Sequence, residues 1–294
     1  MLKFKKTEIE DVGIFKKYIG SSRELSCESA FVNMLVWQCA YNNMWAEEAG
    51  QLIIKSGEGH NTLYRLPFGD DFQKGFELIR EHSGREFPDF WVQEGERLGE
   101  FRAYCADKYV FEESRDAFDY IYLQSDLAGL SGKKYHSKRN HISAFSKAND
   151  WEYRPITSDN INDIRLCAEQ WYDENSGRAD KYMLCEKRGV GIILDNMERL
   201  NVKGGAVYVG GKAVAFTLGS AVTNEVFDIH IEKALADYAA AYTVINREFA
   251  KTLSEYKYIN REDDMGLEGL RKAKLSYKPS ILLKKYHCVK KETP

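Results

Sequence analysis

Between residues 226 and 234 the chain reads Val-Phe-Asp-Ile-His-Ile-Glu-Lys-Ala, with Phe227, Ile229 and Ile231 alternating against Asp228, His230 and Glu232. A period of two belongs to a strand with one apolar face. The alternation predicts a strand whose other face lines up two carboxylates and an imidazole. Next, Tyr238, Tyr242, Ile245, Phe249 and Leu253 recur at helical spacing behind Asp237, a good N-cap. A strand feeding a helix N-terminus sets free N–H groups and partial positive charge beside the polar face, a corner able to hold a phosphate. A plain solvated strand-turn-helix has the same pattern, and both readings stay open at this point.

The same periodicities organise the rest of the chain. The first half predicts a short strand at 2–5, a helix over 7–18 opened by a Thr7/Glu10 capping box, and a helix over 28–38 behind Ser26. Strands follow at 44–47, 51–55 and 61–66, then a helix over 72–82, a strand at 89–92, a helix over 94–105 and strands at 109–111 and 118–123. The second half restarts at Trp151 with a short strand, a hydroxyl cap and a helix over 160–173. A helix over 190–200, strands at 206–209 and 213–218 joined by Gly210-Gly211, the 226–234 strand and its helix, a strand at 256–259, a helix over 267–274 and a strand at 281–286 complete it. One element order recurs, which predicts an internal duplication. The division expected is 1–125, a basic linker helix over 126–149, and 150–294.

Composition narrows the class. Of 294 residues 44% are hydrophobic and 30% charged, and 18 Tyr and 15 Phe supply large cores, so the chain is globular. A net charge of −3 excludes a whole-molecule attraction to nucleic acid and leaves only local basic patches. Six scattered cysteines without a C-x-x-C pair read as reduced thiols in a cytoplasmic protein, with no metal expected. No apolar run approaches the 18 or so residues a membrane span needs, and no signal peptide is seen. No Ser-His-Asp spacing, P-loop, H-E-x-x-H or EF-hand pattern appears, which removes the sequence support for hydrolase, kinase or metalloprotein classes.

Two further segments carry chemistry. Residues 132–147, Gly-Lys-Lys-Tyr-His-Ser-Lys-Arg-Asn-His-Ile-Ser-Ala-Phe-Ser-Lys, set Lys133, Lys134, Lys138, Arg139 and Lys147 along a helix with an apolar edge of Leu127, Leu130, Ile142 and Phe145. Such a helix is either a solvated charged face or a phosphate clamp. Residues 260–279 place Glu262, Asp263 and Asp264 ahead of a helix, and Arg271, Lys272 and Lys274 near its end, which by itself is dipole capping. Lys278 precedes Pro279, so an extended segment is expected after Tyr277.

The duplicated element order resembles a tandem GNAT acyltransferase fold of the Fem type, a mixed α/β (α+β) architecture with mixed sheets flanked by helices. Gln124-Ser-Asp-Leu-Ala-Gly-Leu-Ser-Gly-Lys-Lys-Tyr-His-Ser-Lys-Arg-Asn-His-Ile-Ser-Ala-Phe and Asn260-Arg-Glu-Asp-Asp-Met-Gly-Leu-Glu-Gly-Leu-Arg-Lys-Ala-Lys-Leu-Ser-Tyr-Lys-Pro are similar to signatures of the phosphatidylglycerol lysyltransferase C-terminal domain family. The resemblance implies an acyl- or aminoacyltransferase with its active site in the second half and a supporting first half. The donor implied is a coenzyme A thioester, with aminoacyl-tRNA, held by its acceptor end, as the alternative, and the acceptor is an amine or hydroxyl compound. The characterised lysyltransferases carry a membrane domain that this sequence does not include, and neither a lipid acceptor nor a stable protein partner is expected. A catalytically inactive tandem domain that binds a ligand or partner is the reading from a different class.

GNAT enzymes hold coenzyme A with a Q/R-x-x-G-x-G/A loop, whereas residues 232–242 here, Glu-Lys-Ala-Leu-Ala-Asp-Tyr-Ala-Ala-Ala-Tyr, contain no glycine. The donor-binding residues implied are Lys133, Lys134, Lys138, Arg139 and Asn140 of the linker, Asp237, Tyr238 and Ala239 at the helix corner, and Asn260, Lys274 and Lys278. Glu232, nearest the splayed end of the strand, is the expected base, with Asp228 and His230 as the other acceptors of the proton. Tyr277 is the general acid that the resemblance implies.

Overall fold

The computed structural model describes residues 2–292. Two seven-stranded sheets share one layout. The first runs Lys5–Lys6, Met44–Glu48, Gln51–Ser56, Leu63–Tyr64, Phe90–Gln93, Lys285–Lys290, Tyr109–Glu113. The second runs Trp151–Pro155, Lys203–Val209, Lys212–Ala221, Val226–Ala234, Tyr258–Asn260, Asp119–Leu123, Ile281–Leu283. In both, only the fourth and fifth strands are parallel, which gives the duplication a structural counterpart.

The sixth strand of each sheet comes from the other half of the chain. Asp119–Leu123 leaves the first half to pair with Tyr258–Asn260 and Ile281–Leu283, and Lys285–Lys290 returns to pair with Phe90–Gln93 and Tyr109–Glu113. Residues 119–123 and 285–290 therefore cross the 1–125 and 150–294 division drawn from the sequence. A continuous apolar core joins the halves, from Phe15, Phe31 and Val36 to Ile164, Ile193 and Phe216. Helix Phe31–Val36 is buried on every side. Helix Lys181–Asp195 approaches it so closely that a Cβ on Gly189 would sit 2.4 Å from Val36.

At the crossing, the first residues of the two exchanged strands meet. Lys285 Nζ lies 2.7 Å from Asp119 Oδ1, and neither side chain is exposed to solvent. Glu28 Oε2 is a further 2.7 Å partner of the ammonium, and Asp119 Oδ2 accepts from Cys27 N at 2.9 Å and Asn260 Nδ2 at 3.0 Å. Burial works against the charged amine, but Asp119, Cys27 and Glu28 hold it well above the usual lysine range.

Local signals decided less at the ends of helices. The helix expected over 7–18 is a 3-10 turn Ile9–Asp11 followed by helix Val12–Ile19, and the box that opens it uses Glu8 and Asp11 rather than Thr7 and Glu10. The expected 28–38 helix breaks into Cys27–Ser29, Phe31–Val36 and Gln38–Tyr41. The expected 190–200 helix is Lys181–Asp195, capped by Asp180, whose side chain accepts from Met183 N at 2.8 Å. Cys39 and Cys185 form a disulfide joining Gln38–Tyr41 to Lys181–Asp195, which corrects the reading of six reduced thiols, while Cys27, Cys105, Cys167 and Cys288 are free and buried.

Breaking a buried ion pair strands a charge, at a cost of about 3–5 kcal/mol. Lys285→Ala is expected to lower unfolding stability by about that much in urea titrations, and the double variant Asp119→Asn/Lys285→Met to recover most of the loss.

Candidate active site

The polar strand is interrupted by a bulge. Gly219 of the neighbouring strand pairs with Ile229 and Leu218 with Ile231, which leaves His230 as an extra residue without a partner. Gly219 is required there, since a Cβ would lie 2.3 Å from the Asp228 carbonyl oxygen. The bulge resets the alternation. Phe227 and Ile229 pack against helix Ala241–Lys251, whereas Ile231 faces the core shared with the first half. Asp228 and His230 consequently face helix Phe31–Val36, and Glu232 turns to the opposite face, where Asn246 Nδ2 lies 3.2 Å from it. The expected single row of Asp228, His230 and Glu232 is thus divided between two faces by one inserted residue.

On the first face His230 is the centre. Its Nδ1 is 3.2 Å from Asp228 Oδ2 and 3.6 Å from Glu262 Oε1, and its Nε2 is 2.8 Å from Ser220 Oγ. Asn33 Nδ2 donates to Glu262 Oε1 at 3.0 Å and to the Cys27 carbonyl at 2.9 Å. Burial alone would pull the imidazole down, but the Asp228 and Glu262 carboxylates outweigh it and raise it to about 9, so it is an imidazolium at neutral pH. Burial pushes the Asp228 carboxyl up, and burial together with the Asp228 charge pushes Glu262 up. Burial likewise raises Asp263 to about 7. The ligand atoms of Asp228, His230 and Glu262 lie within 4.8 Å of one another and could together hold a divalent ion; Cys27, Glu28 and Asp119 form a second such group, but the Lys285 ammonium is already bonded within it.

Glu262 is held in an uncommon backbone conformation, φ 57°. Its N–H donates to Asn260 Oδ1 at 2.7 Å and its carbonyl accepts from Tyr120 N at 3.1 Å, while the Lys274 ammonium donates to the carbonyls of Arg261 and Asp263 on either side. Parallel pairing of Val226–Ala234 with Tyr258–Asn260 ends at Asp228 and Asn260. Beyond it the two segments part, and Arg261 reaches across the opening to Glu232 at 2.6 Å.

On that second face Arg261 lies 4.8 Å and the Lys138 ammonium 3.8 Å from the centre of the Tyr277 ring. Burial and the nearby Arg261 charge bring Lys138 down to about 8, and burial raises the Tyr277 hydroxyl. Lys138 is the member of the basic linker that turns inward. Lys134 pairs with Asp126 at 2.8 Å, Arg139 donates to the Gly132 carbonyl at 2.8 Å, Asn140 meets His136 at 3.1 Å, and Lys133 is exposed. These side chains do not converge on one point. Asn260 is spent on the Leu25 carbonyl, the Asp119 carboxylate and the Glu262 N–H, and Lys274 on the carbonyls of Arg261 and Asp263.

The helix corner also differs from expectation. Asp237 and Tyr238 lie in a 3-10 turn Ala236–Tyr238, the helix begins at Ala241 behind Ala240, and Asp237 does not cap it. Asp237 and Ala239 are exposed and Tyr238 half-buried, and 237–242 lines neither of the two main clefts. Lys278 is exposed with φ 54°, so the extended segment expected after Tyr277 is instead a left-handed turn, formed where the Tyr277 and Lys278 N–H groups bond back to Lys274 and Leu275.

Two clefts flank helix Phe31–Val36. One of 570 Å³ is lined by Phe15, Phe31, Val32, Leu200, Ser220 and Val222 among others. The other, of 330 Å³, is lined from the first half by Asn33, Trp37, Tyr41 and Trp91 and from the second by Glu262 and Asp263. Asn33, Ser220, Arg261 and Glu262 were not singled out as functional by sequence reasoning. Asn33 is 195 positions from Asp228 and 229 from Glu262, and no local pattern announces such a meeting.

A family model described as phosphatidylglycerol lysyltransferase, C-terminal, matches residues 21–289. A conserved protein of unknown function from Bacteroides thetaiotaomicron superposes with a TM-score of 0.91 at 36% identity, covering 99% of this chain and 100% of that one. L-PGS from Bacillus licheniformis has the same fold, with a TM-score of 0.66 at 14% identity over 99% of this chain and 94% of that one. An uncharacterised protein of Mycoplasmoides gallisepticum is 25% identical over 185 residues, a match that spans 61% of this chain and 58% of that protein. The fold is the tandem GNAT-like one, and no described helix is long and apolar enough to cross a membrane. With its sheets, its parted strands and its 260–279 segment all in place, the chain belongs to the phosphatidylglycerol lysyltransferase C-terminal family.

Proposed function

We propose that this chain is an acyl- or aminoacyltransferase whose reaction centre lies where Val226–Ala234 parts from the segment after Asn260. The observation that carries the reading is Glu262, a strained residue pinned by its neighbours, half-buried between His230 and the 330 Å³ cleft. Strain of this kind persists only where the surroundings over-determine it, and it gathers at reactive sites.

In this reading Glu262, rather than Glu232, is the base. Burial raises this carboxyl, which makes it a better proton acceptor than an ordinary glutamate. The acceptor in the cleft gives its proton to Glu262 as its lone pair bonds to the donor carbonyl carbon. The carbon–sulfur bond of a thioester, or the carbon–oxygen bond of an aminoacyl ester, then breaks with its electron pair going to the carrier. Lys138, lowered to about 8, and Tyr277 stand on the opposite face as proton sources for that leaving group. Arg261 and Lys138 supply positive charge to a phosphate-bearing carrier, which is common to coenzyme A and to a tRNA acceptor end. The glycine-free 232–242 segment and the lysyltransferase name of the family support the aminoacyl donor.

Turnover is tested with radiolabelled acetyl-coenzyme A and with lysyl-tRNA, each with a mixture of amine and hydroxyl acceptors. Transfer from one donor is expected, and Glu262→Gln is expected to lower kcat by about 10²–10⁴-fold with little change in donor KM. Donor binding without turnover would instead return the inactive ligand-binding reading.

The imidazolium also sets a pH dependence. Its folded pKa of about 9 exceeds the ordinary value of about 6.5. The stability it contributes is therefore complete below about pH 6.5 and lost as pH rises to about 9. Urea midpoints between those limits should fall in the native chain, and fall less in His230→Gln.

A further inference from the structure

The face around His230 leaves buried polar atoms without hydrogen bonds: His230 Nδ1, Asp228 Oδ1 and Asn33 Oδ1. Asp228 is fully buried, and Asn33 and His230 are 6% and 7% exposed. Buried polar atoms are nearly always paired, so orphans on three neighbouring side chains call for a ligand. Nδ1 stands 3.2 Å from Asp228 Oδ2 and 3.6 Å from Glu262 Oε1, yet makes a hydrogen bond to neither. Oxygens that flank a ring nitrogen, instead of lying along its N–H axis, are placed as ligands around a common third atom. With metal bonds of about 2.1 Å, neighbouring ligand atoms stand about 3.0 Å apart at a right angle and about 3.4 Å apart at a tetrahedral one. The separations of 3.2 and 3.6 Å fall near those edges.

The surroundings support the same use. The other ring nitrogen, Nε2, is 2.8 Å from Ser220 Oγ. When Nε2–H donates to that hydroxyl, Nδ1 is left with its lone pair and the ring is held in one orientation. Asn33 Nδ2 donates to Glu262 Oε1 at 3.0 Å and to Asp228 Oδ2 at 3.4 Å, so one amide steadies both carboxylates. Glu262 also lines the 330 Å³ cleft, which gives an ion a way in. The group of Cys27, Glu28 and Asp119 differs on each count, since its carboxylates have no orphaned oxygen and already hold the Lys285 ammonium.

We infer that Asp228, His230 and Glu262 form a binding site for a divalent first-row transition ion of the Zn²⁺ kind, with one imidazole nitrogen and two carboxylate oxygens as its protein ligands. The ion takes the Nδ1 lone pair, and the Nδ1 proton of the metal-free imidazolium passes to solvent. A nitrogen in the ligand set favours Zn²⁺ over Mg²⁺, which is bound through oxygen and keeps much of its water. A carboxylate that ligates an ion is not free to take a proton from an acceptor, so the ion-loaded chain is the inactive form. That consequence rests on the transferase reading above; the binding does not.

Binding is measured on the full chain, stripped of metal by dialysis against EDTA, through competition for Zn²⁺ with a chromogenic chelator. One ion per chain is expected, undisturbed by excess Mg²⁺ and weakened at least about tenfold in His230→Gln and in Asp228→Asn, each first shown to be folded by circular dichroism. The absorption spectrum of the native chain loaded with Co²⁺ is expected to show d–d bands without a thiolate-to-cobalt band. No stoichiometric ion, a thiolate band placing the ion on Cys27, or undiminished affinity in both variants, which marks an adventitious ion only, would overturn the assignment. Zn²⁺ is further expected to stop transfer from the active donor, and EDTA to restore it. Stoichiometric binding with undiminished transfer would remove the inhibitory role, whereas binding in a chain that transfers from no donor, with or without the ion, would remove the transferase reading and leave the site standing.

Discussion

The Lys285–Asp119 ion pair is the constraint on which the rest of this structure depends. It joins the first residues of two strands that each leave their own half to complete the other half's sheet. Neither charge reaches solvent, and isolated buried charges are expensive. The pair is therefore tolerable only when both strands have crossed to the correct place. Hydrophobic burial favours any compact arrangement of two amphipathic halves, and this pair discriminates among them by penalising those that leave one charge alone. The ion pair and the apolar core shared between the halves both join the duplicated chain across its midpoint.

The same crossing positions the groups of the candidate site. Asp119 accepts from Asn260, and Asn260 accepts from the Glu262 N–H. Cys27, bonded to Asp119, offers its carbonyl to Asn33, and Asn33 returns to Glu262. Glu262 therefore stands at the end of two short chains of hydrogen bonds that begin at the ion pair. Such anchoring lets a polar group sit against an imidazolium without drifting to solvent. The one-residue bulge at His230 then divides the strand's carboxylates between two faces. Asp228 and Glu262 surround the His230 imidazolium on the face toward the first half, and Glu232 pairs with Arg261 beside Lys138 and Tyr277 on the other.

Much of the fold was legible because periodicity reports burial wherever an element has one apolar face. The 226–234 strand, the 72–82 helix and the Gly210-Gly211 hairpin follow from local pattern alone and are present as Val226–Ala234, Phe72–Ser83 and the turn between Lys203–Val209 and Lys212–Ala221. The site was legible only in part. Asp228 and His230 were visible as charges on a strand. Their separation from Glu232 was not, because the bulge depends on how Gly219 meets the Asp228 carbonyl on a neighbouring strand. Glu262 looked like ordinary helix capping because its segment taken alone supports that reading. Most of the linker cations, written as a cluster, diverge once the helix is docked, since residues one and two apart on a helix point in different directions.

By itself, then, the sequence determined the duplication, the kinds of element, the apolar faces and the membership of a family, since each of these is carried by residues close together in the chain. Tertiary structure decided which strand completes which sheet, which carboxylate meets the imidazole, and that an aromatic and acidic cleft opens between the halves. Most of those outcomes rest on contacts between residues far apart in the chain, such as Asn33 with Glu262 and Asp119 with Lys285. Desolvation gives such contacts their energy, and desolvation exists only after the chain has closed around them.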